Sequence, residues 1–251
     1  MKPFDFSTSM LATLSTAGRG VSSMRRVKAP AEPLELYDME GCPFCRVVRE
    51  VLTELDLDVT VYPCPKGGKR FRSMVSSLGG KQQFPYLYDA NTDTGLYESA
   101  DIITYLYDTY GNTKAPANWR IKGLQTPASF LASGWRGGKG SQAKPSQHNE
   151  QALILYSFEA SPYARPVREL LCELELHYEV RQVGRTEKAD WLLPGMRKRM
   201  APNYAPTQRN RVALLERTGR MAVPYLIDPN TGEEMYESSN ILAYLTRTYA
   251  A

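Results

Sequence analysis

Leu34-Glu35-Leu36-Tyr37-Asp38-Met39-Glu40-Gly41-Cys42-Pro43-Phe44-Cys45-Arg46-Val47-Val48-Arg49-Glu50-Val51-Leu52 is the stretch on which the reading of this chain turns. Leu34 to Tyr37 is a short apolar run of strand type. From Arg46 onward apolar residues return at helical spacing. Pro43 suits the first helical turn, where its missing N–H is not needed. A Cys-x-x-Cys at a strand-to-helix junction reads as a redox motif. Its first cysteine sits where the unpaired N–H groups of a helix start favour an anion, which lowers a thiol from ~8.5 into the range of ~3.5–7.5. The thiolate is the nucleophile, so Cys42 is the expected reactive residue. Cys45 lies one helical turn on and can close a disulfide with it. Zinc is the competing chemistry. A structural zinc site wants four Cys or His ligands, usually as two spaced pairs. The remaining candidates, Cys64, Cys172, His148 and His177, are unpaired in sequence, and the redox reading is the one carried forward.

Length and composition set the frame. The chain has 251 residues, room for one large or two ordinary domains. Hydrophobic content of 42% and charged content of 23% match a soluble globular chain. No apolar run approaches the ~20 residues of a membrane-spanning helix. Four cysteines, two of them in one motif, do not make a disulfide scaffold and fit a reducing compartment. The net charge of +4 gives no case for nucleic acid, yet would not repel small anions. Residues 1–30 are poor in acids and rich in Ser, Thr and Arg, as organellar transit peptides are. Against that, Ser9-Met10-Leu11-Ala12 followed by Gly18-Arg19-Gly20 returns as Ser129-Phe130-Leu131-Ala132 followed by Arg136-Gly137-Gly138. A cleaved address has no reason to recur mid-chain, so both segments are expected to be short helices preceding a domain. The expected location is cytoplasmic, with an organelle such as the chloroplast as the alternative.

The recurrence extends over most of the chain. Leu34 to Leu57 reads again as Leu153 to Leu176, so that Cys42-Pro43-Phe44-Cys45-Arg46 becomes Ser161-Pro162-Tyr163-Ala164-Arg165. Val48-Arg49-Glu50 returns as Val167-Arg168-Glu169. Downstream, Phe84-Pro85-Tyr86-Leu87 returns as Val223-Pro224-Tyr225-Leu226, and Tyr97-Glu98-Ser99 as Tyr236-Glu237-Ser238. The offset grows from 119 (161 − 42) to 139 (224 − 85), which places an insert between Arg181 and Met221. A period this long means two domains, 1–120 and 121–251, not a solenoid.

Each copy reads as strand, helix, strand, helix, strand, strand, helix. In the first copy the strands are expected at Leu34–Tyr37, Val59–Tyr62, Phe84–Asp89 and Leu96–Tyr97, with a turn at Asn91–Gly95. Helices are expected at Pro43–Leu55, near Lys69–Leu78, and from Ser99 to about Tyr110, with Ser99 as N-cap. Gly111 to Glu150 reads as the connection, with a helix near Pro127–Ser133 and a flexible stretch from Gly134 to Pro145.

Three ordered motifs, each present twice, carry a resemblance. Cys-Pro-Phe-Cys after a first strand, Phe-Pro or Val-Pro before a third, and Glu-Ser-x-x-Ile-x-x-Tyr-Leu afterwards resemble the glutaredoxins. The last motif is more specifically similar to the N-terminal domain of glutathione transferases. The resemblance covers Leu34–Tyr110 and Leu153–Tyr249. It implies two tandem α/β domains of thioredoxin fold, each a four-stranded mixed sheet flanked by helices, and glutathione as ligand. It makes Pro85 and Pro224 cis-prolines that turn the backbone of Phe84 and Val223 toward the cysteinyl unit of glutathione. Phe44 would line the same site. Glu98-Ser99 and Glu237-Ser238 would hold the γ-glutamyl end, the serine at a helix start meeting the α-carboxylate and the glutamate the α-ammonium.

The copies differ at the chemistry. Ser161 and Ala164 replace both cysteines, so the second copy cannot run dithiol exchange. Ser161 reads either as a transferase serine that stabilises a glutathione thiolate or as part of a degenerate domain kept for packing. The leading expectation is a glutathione-linked thiol-disulfide oxidoreductase acting through Cys42 and Cys45 on glutathionylated or disulfide substrates. The alternatives are a transferase or isomerase using Ser161, and a glutathione-binding scaffold holding an iron–sulfur cluster through Cys42. Cys64 and Cys172 read as buried, and His148 and His177 as structural or surface residues. The basic residues Arg185, Lys188, Arg197, Lys198 and Arg199 read first as a solvated face; with Trp191, Leu192, Leu193 and Pro194 beside them, a lid or partner surface and a membrane-surface contact are the alternatives.

Overall fold

A computed structural model describes residues 3–24, 28–120, 125–192, 196, 199–201 and 204–251. Helix α1 (Pro3–Ser15) precedes the first repeat, which runs β1 (Leu34–Asp38), α2 (Pro43–Glu54), β2 (Val59–Pro63), α3 (Arg72–Gly79), β3 (Tyr86–Asp89), β4 (Thr94–Leu96) and α4 (Ser99–Leu106). The connection carries α5 (Ala117–Arg120) and α6 (Thr126–Trp135). The second repeat runs β5 (Leu153–Ser157), α7 (Arg165–Glu173), β6 (Tyr178–Gln182), α8 (Arg209–Thr218), β7 (Tyr225–Asp228), β8 (Glu233–Tyr236) and α9 (Ser238–Tyr249). In each repeat the first strand pairs parallel with the second and antiparallel with the third, and the fourth pairs antiparallel with the third. That is the expected thioredoxin-like sheet, formed twice.

The two sheets are one. Strand β2 pairs antiparallel with β6, giving the order β4-β3-β1-β2-β6-β5-β7-β8. The register sets Thr60 opposite Glu179, with Val59 on Val180 and Val61 on Tyr178. Thr60 and its repeat counterpart Glu179, 119 positions on (179 − 60), therefore face each other on a local two-fold axis, and the flanking pairs are related to one another by it. The two edges that separate domains would expose are satisfied by one another. An apolar core follows the sheet across the seam, from Leu34, Val48 and Leu52 to Leu153, Val167 and Leu171. Burying a side chain of this kind stabilises the fold by ~1.5–3 kcal/mol.

The pre-domain helices cross over. Helix α1 leads into the first repeat yet hydrogen-bonds the start of the second: Ser9 Oγ donates to the Pro162 carbonyl at 2.8 Å and Thr13 Oγ1 to the Ala160 carbonyl at 2.7 Å. Helix α6 leads into the second repeat yet packs on α2. Each helix is followed by a glycine with positive φ lodged in the other half. Gly20 has φ +71°, and a Cβ there would stand 2.9 Å from Glu159 Cβ. Gly140 has φ +70°, and its Cβ would stand 2.9 Å from Glu40 Cβ. No larger residue fits either place.

Several local expectations are corrected. The stretch from Gly134 to Pro145, expected to be flexible, is pinned by main-chain bonds: Gly41 N–H to Gly140 O, Lys66 N–H to Ser141 O, Ala143 N–H to Lys66 O and Lys144 N–H to Glu173 O. Ser99 and Ser238 are not N-caps but first helical residues. The caps are Glu98 and Glu237, with no side-chain capping bond. The third helix starts at Arg72, not Lys69, because the Arg70 N–H is drawn out to Glu175 Oε1 at 3.0 Å. Strand β3 starts after Pro85, not at Phe84, and β4 spans Thr94–Leu96. Helix α4 changes to a π turn at Tyr107–Gly111, which delivers the Tyr110 hydroxyl to Asp89. Leu193, Pro194, Arg197 and Lys198 lie outside the described residues. No described helix is long and apolar enough to cross a membrane.

Candidate functional site

Cys42 is the N-cap of α2, in extended conformation (φ −78°, ψ 125°), and Pro43 takes the first helical position. Its N–H donates to the Met39 carbonyl at 2.9 Å and its own carbonyl accepts from Arg46 N–H at 3.0 Å. Cys42 is 8% exposed and Cys45 is wholly buried. The Cys45 thiol donates to the Cys42 sulfur, and this is the main reason that Cys42 is lowered to about 7. Burial opposes that lowering, while the amides of Cys45 and Phe44 and the charge of Arg49 assist it. Cys45 is pushed well up by burial, then by Cys42 and by Asp38. One proton is thus held on Cys45 while Cys42 ionises first, the division of labour that a nucleophile and a resolving thiol need.

The other residues expected at this site cluster around the same end of the sheet. The Phe84–Pro85 bond is cis, and it precedes Tyr86, which pairs with Tyr37 on β1. The Arg72 guanidinium lies 4.7 Å over the Phe84 ring and donates to the Cys64 carbonyl at 2.9 Å. Phe44 is 43% exposed and meets Phe130 of α6 edge-on, with ring centroids 5.6 Å apart. Glu98 has φ 62° and ψ 117°, an unfavourable backbone for any residue but glycine, and its carboxylate accepts from Gln83. Ser99 follows it at the helix start.

The second site has the same frame and different contents. Val223–Pro224 is cis, and Glu237 repeats the strained backbone at φ 72°. Ser238 Oγ donates to the Tyr163 carbonyl at 2.7 Å, which ties the Glu-Ser motif directly to the Ser161 turn. The Glu237 carboxylate is paired with Arg220 at 3.0 Å. Ser161 is 1% exposed, and its hydroxyl accepts the Ala164 N–H at 3.2 Å. Helix α7 begins only at Arg165, four residues after Ser161, where the repeat leads one to expect Pro162. Pro166 explains the delay. It has no N–H to give the Pro162 carbonyl, and that acceptor takes the Ser9 hydroxyl of α1 instead. Phe6 packs on Tyr163, with centroids 5.0 Å apart.

Behind both sites lies a feature that sequence reading missed. Arg49 Nε donates to Glu159 at 2.9 Å, and Arg49 Nη2 lies 3.4 Å from Glu40. Arg168 Nη2 lies 3.1 Å from Glu40 and 3.0 Å from Glu159. These four side chains, 2–5% exposed, form a closed ring of alternating charge around the two-fold axis, and each arginine touches a glutamate of the other repeat. Asp38 is bound to Arg49, and burial raises it to about 6 despite that partner. Burial works to raise Glu159 as well, yet Arg168, Arg49 and Arg46 together hold it down to about 2. The signal was present in the repeat itself, in which Glu40 and Arg49 return as Glu159 and Arg168. Cys64 and Cys172 are buried as expected, Cys172 accepting the Glu40 N–H at 3.4 Å. His148 and His177 stack, with centroids 5.8 Å apart.

A thioredoxin-like sheet with a cis-proline and a helix-start residue, formed twice in one chain, defines the class of protein. Two sequence models of the glutathione S-transferase N-terminal domain match the chain, one over residues 36–114 and the other over 160–248. The chain therefore belongs to the family of proteins built on that domain, and it carries the domain in tandem. A glutathione S-transferase-like protein of Aspergillus fumigatus, tpcF, is 26% identical over 170 residues, which cover 65% of this chain and 72% of that protein. Among solved structures, the Bombyx mori glutathione transferase BmGSTD1 aligns at 26% identity over 36% of this chain and 43% of its own, with a TM-score of 0.32. This chain thus spans less than half of the Bombyx enzyme. Leishmania TDR1, described as a unique trimeric glutathione transferase, aligns at 14% identity over 88% of this chain and 68% of its own, with a TM-score of 0.29.

Proposed function

We propose that the protein is a glutathione-linked thiol-disulfide oxidoreductase whose chemistry is confined to the first repeat. The observation that carries the reading is the Cys42/Cys45 pair at the start of α2, with Cys42 lowered to about 7 chiefly by the Cys45 thiol. In the proposed cycle the Cys42 thiolate attacks the glutathione sulfur of a mixed disulfide. The S–S bond breaks, the substrate thiolate leaves and takes a proton, and Cys42 is left glutathionylated. A second glutathione thiolate then attacks the bound glutathione sulfur and restores Cys42. Alternatively Cys45, losing its proton, attacks Cys42, and the resulting disulfide is reduced by two glutathiones. Ser99 at the start of α4 is proposed to meet the ligand's α-carboxylate, and Glu98 its α-ammonium. Phe84 and Pro85 are proposed to present backbone to the cysteinyl unit, with Phe44 beside it. A reduction potential of roughly −200 to −230 mV is expected, as for glutaredoxins.

Ser161, Val223, Pro224, Glu237 and Ser238 are proposed to form a weak glutathione site or none. Ser161 is buried, with its hydroxyl accepting the Ala164 N–H, Ser238 donates to the Tyr163 carbonyl, and Glu237 is paired with Arg220. These contacts count against a transferase mechanism through Ser161. The test is reduction of a glutathione mixed disulfide by wild type, Cys42→Ser, Cys45→Ser and Ser161→Ala. Loss in Cys42→Ser with retention in Ser161→Ala is expected. Undiminished turnover in Cys42→Ser would sink the proposal.

A further inference from the structure

The loop that delivers Cys42 is assembled largely by residues outside the first repeat. Its two preceding residues, Glu40 and Gly41, are held at five points. The Glu40 carboxylate receives Arg168 Nε at 3.2 Å and Nη2 at 3.1 Å. The Glu40 N–H donates to Cys172 Sγ at 3.4 Å, and the Gly41 N–H donates to the Gly140 carbonyl at 3.1 Å. The Glu40 carbonyl is served from within the repeat, by Arg49 Nη2 at 3.0 Å. Residues 139–141 press so close that a Cβ on Gly41 would stand 2.0 Å from Ser141 Oγ. Across the two-fold axis the arrangement repeats around Glu159: its N–H donates to Thr53 Oγ1 at 3.1 Å, its carbonyl accepts Arg168 at 2.9 Å, and the Ala160 N–H donates to Gly20 O at 3.0 Å. Yet only one of the two loops so held ends in a thiol.

We infer that the thiol-less repeat is retained as the positioning and electrostatic half of the redox site, with Arg168 and Glu159 acting on Cys42 through the buried charge ring. This rests on Cys42 as the reactive thiol. The physical argument is one of balance. Two arginines and two glutamates make the ring neutral, and burial leaves no water to screen a charge that is uncovered. Cys45 and Arg49 on its own helix act on Cys42 directly. Behind them stand Asp38 on β1, bound to Arg49, Glu40 in the Cys42 loop, Arg46 on the same helix, 3.4 Å from Glu159, and Glu159 and Arg168 from the other repeat. Removing the Arg168 cation leaves the ring net negative and disfavours the thiolate. Removing the Glu159 anion leaves it net positive and favours the thiolate. A merely structural role for these residues predicts the same damage from both changes, whereas the electrostatic role predicts opposite displacements of the midpoint.

The test is the pH profile of Cys42 alkylation by iodoacetamide in the full-length protein, read by mass spectrometry of the Cys42 peptide. The reagent reports thiolate whether or not the protein reduces mixed disulfides, so failure of the proposed activity leaves this measurement intact. Arg168→Gln is expected to move the midpoint up and slow alkylation at pH 6.5 by about threefold or more, as one uncovered buried charge should. Glu159→Gln is expected to move it down. Arg168→Lys, which keeps the cation, and the neutral double variant Arg168→Gln/Glu159→Gln are expected to fall near wild type. Should Arg168→Gln fail to fold, Glu159→Gln and the double variant decide. Midpoints that move the same way in both single variants, or a Glu159→Gln midpoint that stays or rises, overturn the inference.

Discussion

Replacing Cys45 with alanine isolates the main cause of Cys42 acidity. The thiol of Cys45 donates to Cys42 and leads the influences that lower it to about 7, ahead of the nearby amides and of Arg49. A hydrogen bond to a charged group contributes ~1.5–3 kcal/mol, and a tenfold change in proton affinity corresponds to ~1.36 kcal/mol. Loss of that bond should therefore weaken the acidity of Cys42 by about 10- to 100-fold and carry its midpoint toward about pH 8–9. At pH 7 the thiolate fraction would fall from about one half to about 1–10%. The assay is alkylation rate against pH. The midpoint is the quantity to compare, because the intrinsic nucleophilicity of a thiolate rises with its pKa and partly offsets its lower abundance. Cys45→Ser keeps a donor and should move the midpoint less. A Cys45→Ala midpoint indistinguishable from wild type refutes the reasoning and leaves the helix start and Arg49 as the source of the acidity.

Three further outcomes are expected. Glu50 is lifted to about 7, mainly by burial against the pull of Arg19 and Arg46. The folded chain therefore keeps a proton that the unfolded chain releases near pH 4.5, and this residue makes stability fall between about pH 4.5 and 7, by ~3 kcal/mol at full effect. Denaturant titrations should find that slope flattened in Glu50→Gln. Tyr249→Phe removes a phenol donor to the buried Asp228, which keeps Tyr244 at 2.7 Å, and should lower stability by about 1–3 kcal/mol in urea. Glu98→Gly relieves the positive φ at 62° and should raise the melting temperature through a gain of ~1–3 kcal/mol, while weakening binding of glutathione measured calorimetrically.

The repeat, the strands and the dithiol were legible because each depends on local pattern. Leu34–Tyr37 and Val59–Tyr62 carry their strand signal in a few consecutive residues, and Cys42-Pro43-Phe44-Cys45 places two thiols one helical turn apart at a helix start in four. The cis bonds at Pro85 and Pro224, implied by the resemblance, are present. What could not be read was which surfaces meet. Arg49 and Arg168 look like solvent-facing charges, since arginine and glutamate are rarely buried unless paired, and their partners lie 110 and 128 positions away. Helical periodicity in Ser9–Ala12 names a buried face but not the half it is buried against. Serine favours the N-cap, which makes Ser99 the expected cap from sequence. The position belongs instead to Glu98, whose strained backbone no propensity scale anticipates.

The seam between β2 and β6 also gives the molecule a birth order. Thr60 and its partner Glu179 are 119 positions apart (179 − 60). At ~5–20 residues per second of synthesis, β6 is made roughly 6–24 s after β2. Through that interval the nascent first repeat shows an open strand edge, and Arg49 waits for Glu159. The half with the dithiol is thus translated first yet cannot close by itself, its loop settling around Cys42 only when Gly140, Arg168 and Cys172 arrive.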